Sequence, residues 1–597
     1  MFTWTKDELN DEQSDAIEAP GSIFLVACPG SGKTRALTYK IALELSRLQS
    51  DRQFVVAITY THRAANEIQE RIEDLGVDIS QLWIGTIHAF CLEWIIRPYG
   101  IYEPKLAHGF RIIDQHERET LLDTLCKPYA AQRITHYDCD YYFASNMYHP
   151  SCGDPAKHAH VKAIIREYLR TLLSRRLLDF ELILYFAWRL ISRHSVIADL
   201  LAKIFPLLLV DEYQDTKQIQ YEILGAILKA GGGASRLFMV GDPNQAIYGS
   251  LGGYAIDVAD LRSITGLAIS ERALSKNYRS SERIVAYYGH FNVHATAIEA
   301  AGEQRTYASL VSYNDAIAVD DLVDEVARLI RYNVETLGIP ANEICVLAPQ
   351  WLHLATMTRR LAIRLPDYQF DGPGMVPFAR DPENFWYKLS RLALTEPAPA
   401  LFVRRLRWAN EVLADLKEAG AALADWSPRT LLRECNAIEL PEADGLAYLE
   451  TFGIALFDRL GIALASFPAL QVLRQAFVES SQVRVAKLEA EGLHGVGDVS
   501  FFRRAFQPRS GVTVSTIHGV KGAEFDVVIA YALLEGMVPH FSDPGGDDSG
   551  RKLLYVIGSR ARKNLHLFSE SGRNRGRRGH YLPTAILGTC RFNYDAV

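Results

Sequence analysis

The sequence has few cysteines and no long apolar segment. Its 597 residues include eight cysteines, and none of them forms a CxxC pair or the four-cysteine pattern of an iron–sulfur cluster. This excludes a disulfide framework. Asp179, Glu181 and Arg189 interrupt the most apolar stretch, at 177–191, so nothing reaches the roughly 18–20 residues of a membrane span. The N-terminus is polar and is not a secretory signal. We therefore expect a soluble protein of the reducing cytoplasm, without membrane contact.

An excess of basic residues is also absent. Lys and Arg number 64 against 71 Asp and Glu, which gives a net charge of −7 and a pI of about 6.2. Any nucleic-acid surface must therefore be a local basic strip and not a global charge. With 48% hydrophobic and 23% charged residues, the composition is that of a globular protein. A chain of this length predicts about four domains.

A glycine-containing loop follows the first apolar run. Residues 23–34 read IFLVACPGSGKT, and the residues after them have helical periodicity. Gly30 and Gly32 allow backbone N–H groups to face an anion. Lys33 adds a positive charge for the outer phosphates, and the hydroxyl of Thr34 suits a Mg²⁺ ligand. The segment therefore predicts a strand, a phosphate loop and a helix.

A second motif supports this interpretation. Ala27 replaces the first Gly of the GxxxxGK[ST] pattern, so the loop alone is also compatible with an ordinary glycine turn. Residues 207–216, LLLVDEYQDT, then predict a buried strand with two acids at its C-terminal end, where open α/β sheets bind ligands. Asp211 is placed to hold Mg²⁺ and Glu212 to act as a general base. Together the two motifs predict nucleotide hydrolysis.

Further motifs follow in a fixed order along the chain. They are LNDEQSDAI (9–17), AITYTHRAANEI (57–68), GTIHAF (85–90), VGDPNQAIYG (240–249), SKNYRSSERI (275–284), VSTIHGVKGAEFDVV (514–528), LEGMVPH (534–540) and LLYVIGSRARKNLHLF (553–568). In this order they resemble the UvrD/Rep family of superfamily 1 helicases. The resemblance implies an α/β fold with two RecA-like parallel-sheet P-loop domains, each with an inserted mainly helical subdomain.

The resemblance also implies an ATP site with Mg²⁺. The residues implied to bind the nucleotide are Gln13, Pro29, Gly30, Ser31, Gly32, Lys33, Thr34, Arg35, Tyr278 and Glu524. Gln13 would read adenine, Arg35 and Tyr278 would pack against the base, and Glu524 would lie near the ribose or make a lobe-closing contact. The implied catalytic residues are Lys33, Glu212, Gln245, Arg279 and Arg560, and the implied metal ligands are Thr34 and Asp211. The two arginines would act as arginine fingers.

Aromatic rings and hydroxyl groups suit single-stranded nucleic acid. The predicted DNA-binding residues are Tyr60, Thr61, Thr86, His88, Tyr248, Thr516 and His518, with Lys521 in the same motif as the last two. Tyr248 is equally compatible with a place in the core. The arginine-rich segment 559–580 suits a phosphate backbone or a partner, with a solvated tail as the alternative for its later part.

Three features of the sequence leave questions open. Ser250 and Leu251 stand where the family has an aromatic–Arg pair, which predicts a weaker grip on the strand, by roughly 1–3 kcal/mol per base. The acids that the family often has just before motif VI are absent there. His136, Cys139, His149 and Cys152 have types and spacings that suit zinc, with a loop of aromatic and polar residues as the alternative. 

The motifs and composition divide the chain into six segments. The predicted first RecA-like domain comprises 1–90 and 200–280, interrupted by a helical insertion at 91–199; the predicted second comprises 281–385 and 505–597, interrupted by a shortened helical insertion at 386–504. Strands are predicted at 23–27, 54–59, 207–211 and 236–240 in the first, and within 343–350 and 526–534 in the second.

Two functions are compatible with this sequence. The first is an ATP-dependent translocase or helicase on single-stranded or tailed DNA, with the 3′→5′ polarity that the resemblance implies. The second is an ATP- or DNA-sensing regulatory subunit that binds a nuclease or another protein and unwinds little by itself. The compact chain also resembles the helicase-like subunit of the Gabija anti-phage defence system.

Overall fold

The computed structural model describes residues 2–113, 115–381, 384–423, 425–507, 510–576 and 579–597. The fold is mixed α/β, as predicted, with two large sheets. The described chain divides into two compact units. The first unit contains residues 1–311, 534–564 and 584–597, and the second contains 312–533 and 565–583. The six predicted domain boundaries remain predictions.

The strands are mostly short and apolar. In chain order they are β1 (Ser22–Ala27), β2 (Val55–Thr59), β3 (Leu82–Thr86), β4 (Arg111–Ile112), β5 (Tyr141–Ala144), β6 (Met147–Pro150), β7 (Leu177–Leu178), β8 (Leu207–Asp211), β9 (Arg236–Gly241), β10 (Ile269–Leu274), β11 (Lys276–Asn277), β12 (Glu299–Ala300), β13 (Val311–Asn314), β14 (Ile344–Ala348), β15 (Phe370–Asp371), β16 (Val512–Thr516), β17 (Phe525–Ala530) and β18 (Ala561–Phe568).

The helices vary from single turns to more than six turns. In chain order they are α1 (Asp11–Glu18), α2 (Lys33–Leu45), α3 (His62–Asp74), α4 (Ile87–Phe90), α5 (Arg97–Tyr99), α6 (Gln115–Cys126), α7 (His158–Ser174), α8 (Phe180–Arg193), α9 (Ser195–Ile204), α10 (Gln218–Ala230), α11 (Val258–Thr265), α12 (Glu282–Gly289), α13 (Leu322–Arg331), α14 (Trp351–Arg364), α15 (Phe385–Leu394), α16 (Phe402–Glu418), α17 (Pro428–Asn436), α18 (Gly445–Leu460), α19 (Pro468–Ala490), α20 (Val499–Arg504), α21 (Gly546–Ser559) and α22 (Ala585–Thr589).

The large sheet of the first unit has the strand order β10-β1-β9-β8-β2-β3. Every neighbouring pair in it is parallel. The predicted strands at 23–27, 54–59, 207–211 and 236–240 correspond to β1, β2, β8 and β9, with differences of one residue at some ends. Because the sheet is parallel, the carboxyl ends of these strands meet at one edge. That edge carries the phosphate loop after β1 and the acidic pair at the end of β8.

Alternate residues of these strands enter two different hydrophobic cores. In β2, Val55 and Ala57 belong to one core, whereas Val56 and Ile58 belong to the other. Side chains of a strand point alternately to its two faces, so this sheet is covered on both sides. The continuous apolar runs of the sequence follow from burial on both faces. The strand ends are therefore held in a rigid scaffold.

The first insertion is mainly helical, with an unpredicted small β component. Strands β5 and β6 form an antiparallel hairpin, and β4 pairs with β7. The amphipathic stretch at 177–191 begins as β7 and continues as α8, where the Asp179 side chain accepts the N–H of Leu182 at 2.9 Å as a helix cap. Alternating burial in the hairpin, with Tyr141 and Phe143 inside, explains why this segment is a pair of strands.

The second unit contains a large sheet of the order β13-β18-β17-β14-β16-β15. Strand β14 pairs in parallel with β16 and β17, and β15 with β16. The predicted second insertion is helical, with α15 to α20 around a core of its own that includes Trp386, Phe452 and Phe502. Among the described residues, we find no helix with the length and apolarity that crossing a membrane requires.

Candidate active site

The phosphate loop joins β1 to α2 in a conformation that depends on glycine. Gly30 and Gly32 have φ values of +68° and +78°, in the left-handed region. A Cβ atom on Gly30 would lie 2.6 Å from the Cβ of Arg279, and one on Gly32 would lie 2.5 Å from Nε2 of Gln13. The two glycines therefore permit both the turn and a close approach by distant segments. Lys33 begins α2, with its Nζ 3.5 Å from the carbonyl oxygen of Ala27.

Two buried side chains hold the loop in place. The Ser31 hydroxyl donates to the carbonyl of Cys28 at 2.8 Å. Gln13 donates from Nε2 to the carbonyl of Ser31 at 2.8 Å, and its Oε1 accepts the N–H of Asn10 at 3.1 Å. These bonds use one amide hydrogen and one oxygen lone pair of Gln13. A contact with adenine through the rest of the amide stays a prediction.

The other predicted base contacts lie near the start of α1. Asn10 caps this helix, and its Nδ2 donates to the hydroxyl of Tyr278 at 2.7 Å. Arg35 is exposed and donates from Nη1 to the carbonyl of Glu8 at 3.2 Å. The ring of Tyr278 is 43% exposed. An exposed ring and an exposed guanidinium beside the phosphate loop are suited to stacking on a base.

Asn277 is a site residue that the sequence interpretation missed. Its Nδ2 donates to the carbonyl of Pro29 at 2.7 Å, and its Oδ1 accepts the N–H groups of Arg279 and Ser280 at 2.9 and 2.8 Å. One buried amide therefore fastens the segment carrying Tyr278 and Arg279 to the phosphate loop. The available signal was an Asn directly before these two residues, since Asn side chains often stabilise turns.

The acidic pair stands at the end of β8. The N–H of Glu212 donates to Oδ1 of Asp211 at 3.0 Å. Burial and the neighbouring Glu212 raise the pKa of Asp211 to about 7, and Lys33 opposes this shift. A buried carboxylate with an acidic neighbour favours a bound cation. The oxygen donors of Asp211 and Thr34 fit Mg²⁺ by their chemistry.

A polar cluster follows β9. Gln245 donates from Nε2 to Oδ2 of Asp242 at 2.7 Å, and the hydroxyl of Tyr555 donates to the same oxygen at 3.2 Å. Arg560 donates from Nη2 to Oε1 of Gln245 at 2.7 Å, across 315 positions of sequence. The Arg560 side chain is only 2% exposed. Two predicted catalytic residues are therefore in direct contact.

Arg279 is hydrogen-bonded to the residue next to this cluster. Its Nη1 donates to the carbonyl of Ser559 at 2.8 Å, the residue before Arg560. The N–H of Tyr278 donates to the carbonyl of Gly30 at 2.9 Å. Both predicted arginine fingers thus belong to the first unit, which also contains the phosphate loop and the acidic pair.

The predicted DNA contacts of the first unit begin with two tyrosines. The rings of Tyr60 and Tyr248 are stacked, with centroids 5.1 Å apart and planes at 28°. Tyr60 is 46% exposed. Tyr248 is therefore not a simple core residue, because it supports an exposed ring. A stacked pair at the surface is a suitable platform for a base.

The two predicted threonines are helix caps. Thr61 accepts the N–H of Ala64 at 3.2 Å at the start of α3, and Thr86 accepts the N–H of Ala89 at 3.3 Å at the start of α4. A capping hydroxyl accepts through its oxygen and retains its own hydrogen as a donor. Each hydroxyl can therefore still donate to a phosphate oxygen.

His88 is a neutral side chain at ordinary pH. Burial lowers its pKa to about 4, and the positive charges of Lys217 and His62 act in the same direction. Its Nε2 is buried and has no hydrogen-bond partner among the residues that the structure describes. A contact with phosphate would therefore be a neutral hydrogen bond and not an ion pair.

One cavity adjoins both groups of residues. It has a volume of about 280 Å³ and is lined by Tyr60, Thr86, His88 and Tyr248 from the DNA-contact set and by Asp211 and Glu212 from the acidic pair. The hydrolytic residues and the aromatic platform are consequently neighbours in the first unit. Ser250 and Leu251 lie in a short turn at the rim, where Leu251 is 45% exposed.

The remaining predicted contacts lie in the second unit. Thr516 ends β16, and its hydroxyl accepts the N–H of Gly519 at 2.9 Å. His518, Lys521 and Glu524 follow in the turns before β17. The predicted roles of these residues with DNA and nucleotide stay predictions.

The four candidate zinc ligands have other neighbours. His136 pairs with Asp123 at 2.7 Å, Cys139 lies 3.7 Å from the sulfur of Cys126, and His149 stacks on Tyr142. The thiol of Cys152 lies 3.8 Å from Oδ1 of Asp138. Among the described residues, no three His, Cys, Asp or Glu side chains are grouped as a metal site. The alternative of a simple loop was also wrong in part, because residues 141–150 form the β5–β6 hairpin.

The arginine-rich segment is only partly described. Arg573 donates from Nε to Glu570 at 2.6 Å, and Arg575 lies over the ring of Tyr581. Arg577 and Arg578 lie outside the described residues. For Arg573 and Arg575, these contacts give the side chains structural neighbours within the second unit.

The fold and the site define a P-loop protein of the RecA-like α/β class. Comparisons with known proteins are more specific. Residues 9–255 match the model of the UvrD/REP helicase N-terminal domain, and residues 502–571 match that of the UvrD-like helicase C-terminal domain. The chain belongs to the UvrD/Rep family of helicases.

The similar proteins include helicases from bacteria and yeast. DNA helicase II of Salmonella typhimurium and of Escherichia coli are each 30% identical to this chain, with 98% of this chain and 87% of each relative covered. ATP-dependent DNA helicase SRS2 of Saccharomyces cerevisiae is 28% identical over 47% of this chain and 26% of its own length. The family resemblance deduced from the motifs is confirmed.

Proposed function

We propose that this protein is an ATP-dependent translocase on single-stranded DNA with helicase activity of 3′→5′ polarity. The observation that carries the proposal is the buried contact between Arg560 and Gln245, in the unit that contains the phosphate loop. A fully buried arginine beside a nucleotide site is suited to stabilise charge on a transferring phosphoryl group. The relatives named as DNA helicases support DNA as the track.

In this proposal the chain's own groups bind and hydrolyse ATP. Gln13, Arg35 and Tyr278 hold the base, while Lys33 and the backbone of the glycine loop hold the phosphates. Thr34 and Asp211 would hold Mg²⁺, which neutralises phosphate charge when bound. Glu212 takes a proton from the attacking water. Arg279 and Arg560 stabilise the charge that develops on the phosphoryl oxygens.

The shared cavity supports a coupling between ATP hydrolysis and the binding of DNA. Tyr60 and Tyr248 would stack on a base, and Thr61 and Thr86 would donate to phosphates. Glu212 lines the same cavity, so a strand bound there would lie close to the hydrolytic site. We propose that the protein acts on cellular DNA in the cytoplasm, as the sequence led us to expect.

A regulatory subunit is the second candidate. Leu251 is exposed at a position where a ring would extend the stacking surface. A weaker grip on the strand would suit a protein that senses ATP and DNA for a partner such as a nuclease and unwinds little alone. Copurification with a nuclease would support this second candidate.

Strand displacement distinguishes the two candidates. Duplexes with a 3′ or a 5′ single-stranded tail would be mixed with protein and ATP, with Glu212→Gln as the inactive control. We expect ATP-dependent displacement from the 3′-tailed duplex and little from the 5′-tailed one. Hydrolysis without displacement from either duplex would contradict the helicase proposal and favour the regulatory one.

A further inference from the structure

Gln214 occupies a buried position between two predicted catalytic segments. It is 1% exposed and lies two residues after Glu212. Its Nε2 donates to Oε2 of Glu212. Its Oε1 accepts the backbone N–H of Asp242 at 3.0 Å. One amide thus links the carboxylate after β8 to the segment after β9.

The backbone conformation of Glu212 needs support from a neighbouring contact. Glu212 has φ 52° and ψ 48°, a left-handed conformation that is uncommon for a residue with a side chain. Such a conformation is strained and persists only when surrounding contacts hold it. The hydrogen bond from Gln214 to the Glu212 carboxylate is a contact of this kind, because a hydrogen bond to a charged group is stronger than one between neutral groups.

Gly241, the residue before Asp242, leaves the space that the Gln214 amide needs. A Cβ atom on Gly241 would lie 2.2 Å from Oε1 of Gln214 and 2.6 Å from Cδ1 of Tyr213. Gly241 has no positive φ, so the glycine is required by the close approach of these side chains. The space beside β9 is therefore filled by the Gln214 amide.

Beyond Asp242, the hydrogen bonds continue to the arginine. Oδ2 of Asp242 accepts from Gln245, and Oε1 of Gln245 accepts from Arg560, both at 2.7 Å. Asp242, Gln245 and Arg560 are each at most 3% exposed. Buried polar networks of this kind are rigid when their members are satisfied.

We infer that Gln214 is a positioning residue that fixes the carboxylate of Glu212 relative to Asp242, Gln245 and Arg560. This inference rests on the proposed hydrolysis of ATP by the same site. Gln214 does not reach the substrate; it acts by orienting the general base. Loss of the amide should therefore lower the rate of hydrolysis without weakening the binding of ATP.

The first test compares two equivalent changes in the full-length chain. Gln214→Met keeps the length of the side chain and removes both hydrogen bonds. Gln218→Met is the matched control, because Gln218 also donates to a carboxylate, that of Glu222 at 3.1 Å, but on the exposed surface of α10. We expect kcat of Gln214→Met to fall by about 10- to 100-fold, as for other residues that orient a reacting group. KM for ATP should change less than about three-fold, and the control should match the wild type.

The second test reaches the same amide from the other side. Gly241→Ala would displace both Gln214 and the ring of Tyr213 by the added Cβ, so its kcat should fall at least as far. The loss in the double variant should be smaller than the product of the two single losses, because both changes disturb the Gln214 amide. Melting temperatures of all variants separate a loss of positioning from a loss of folding. If Gln214→Met has a lower melting temperature than the wild type, the kcat and KM of Gly241→Ala decide whether the amide positions Glu212.

The outcomes separate this inference from the proposed function. A wild-type kcat in Gln214→Met, with an active wild-type protein, would overturn the inference alone. So would a raised KM with an unchanged kcat, since that result would make Gln214 a binding residue. No turnover by the wild-type protein would overturn the proposed function and the inference with it.

Discussion

In the first unit, the hydrolytic residues and the exposed rim of the cavity differ sharply in burial. Asp211, Asp242, Gln245 and Arg560 are 8%, 1%, 3% and 2% exposed, whereas Tyr60 and Leu251 are 46% and 45% exposed. Asp242, Gln245 and Arg560 are joined by hydrogen bonds of 2.7 Å, and Tyr555 donates to Asp242 at 3.2 Å, which leaves these side chains little freedom. The exposed group consists of apolar and aromatic surface, in which the ring of Tyr60 stacks on that of Tyr248.

This difference follows from what each group would do. A developing charge requires donors fixed in position, and a buried donor without its partner costs about 1–3 kcal/mol. A single strand of varying sequence requires surfaces that accept any base, and an exposed ring does so. Changes in the buried group should therefore alter kcat, and changes in the exposed group should alter the affinity for DNA.

Removal of Arg560 should have the largest effect. Arg560→Ala is expected to lower kcat for ATP by about 10³-fold or more, because an arginine that stabilises phosphoryl transfer contributes 10³- to 10⁵-fold. Steady-state hydrolysis at saturating ATP measures this effect. Arg551→Ala is the matched control, since Arg551 lies on α21, which ends directly before Arg560, and donates to the carbonyl of His290. Equal rates in both variants would show that Arg560 is only structural.

Tyr60→Ala should have a smaller effect of a different kind. We expect the dissociation constant for an oligo-dT strand to rise by about 5- to 150-fold, because stacking on one base contributes 1–3 kcal/mol. Fluorescence anisotropy measures the affinity, and ATP hydrolysis without DNA serves as the internal control and should not change. A loss of DNA-free hydrolysis in Tyr60→Ala would remove the distinction between the two groups.

Leu251→Trp should raise the affinity for single-stranded DNA, which Tyr60→Ala should lower. A ring at this exposed turn would extend the stacking surface, and we expect a gain in affinity of several-fold. The same anisotropy titration measures it, with Tyr254→Trp, at another exposed position nearby, as the control. An unchanged affinity would mean that the turn containing Leu251 is not on the path of the strand.

The smallest effect concerns His88 and pH. Because its pKa of about 4 in the folded chain lies below the ordinary value of 6.5, the unfolded chain binds the proton more readily between these values. Stability from this residue is full above pH 6.5 and is lost as the pH falls towards 4. The melting temperature of His88→Gln should therefore decline less than that of the wild type between pH 7 and pH 5. An identical decline would contradict the neutral, buried state of His88.

The sequence was sufficient where the fold is local or follows apolar runs. The strands β1, β2, β8 and β9, the phosphate loop and the helical character of the insertion that contains α8 were all predicted, because buried parallel strands and helices have clear periodicity. The contact between Gln245 and Arg560 could not be derived from the residues, because 315 positions separate the two. Their motifs indicated them only through the family resemblance.

Other features depend on contacts between residues that are distant in the sequence, and no sequence pattern indicates these contacts. Gln214 and Asn277 act through single amides that bridge distant segments, and the sequence does not show which segments meet. The hairpin β5–β6 was missed because its histidines and cysteines suggested a metal site, although Tyr141 and Phe143 alternate with outward residues. Nothing in the sequence shows that position 241 requires glycine, because the requirement comes from the Gln214 amide that packs beside it.

The central claim is that a buried hydrolytic centre works with an adjacent surface for single-stranded DNA. The most direct test is steady-state ATP hydrolysis by the wild-type protein with and without single-stranded DNA, beside Glu212→Gln. We expect hydrolysis that rises strongly with DNA and is absent in Glu212→Gln. Equal hydrolysis with and without DNA, or substantial hydrolysis by Glu212→Gln, would contradict it.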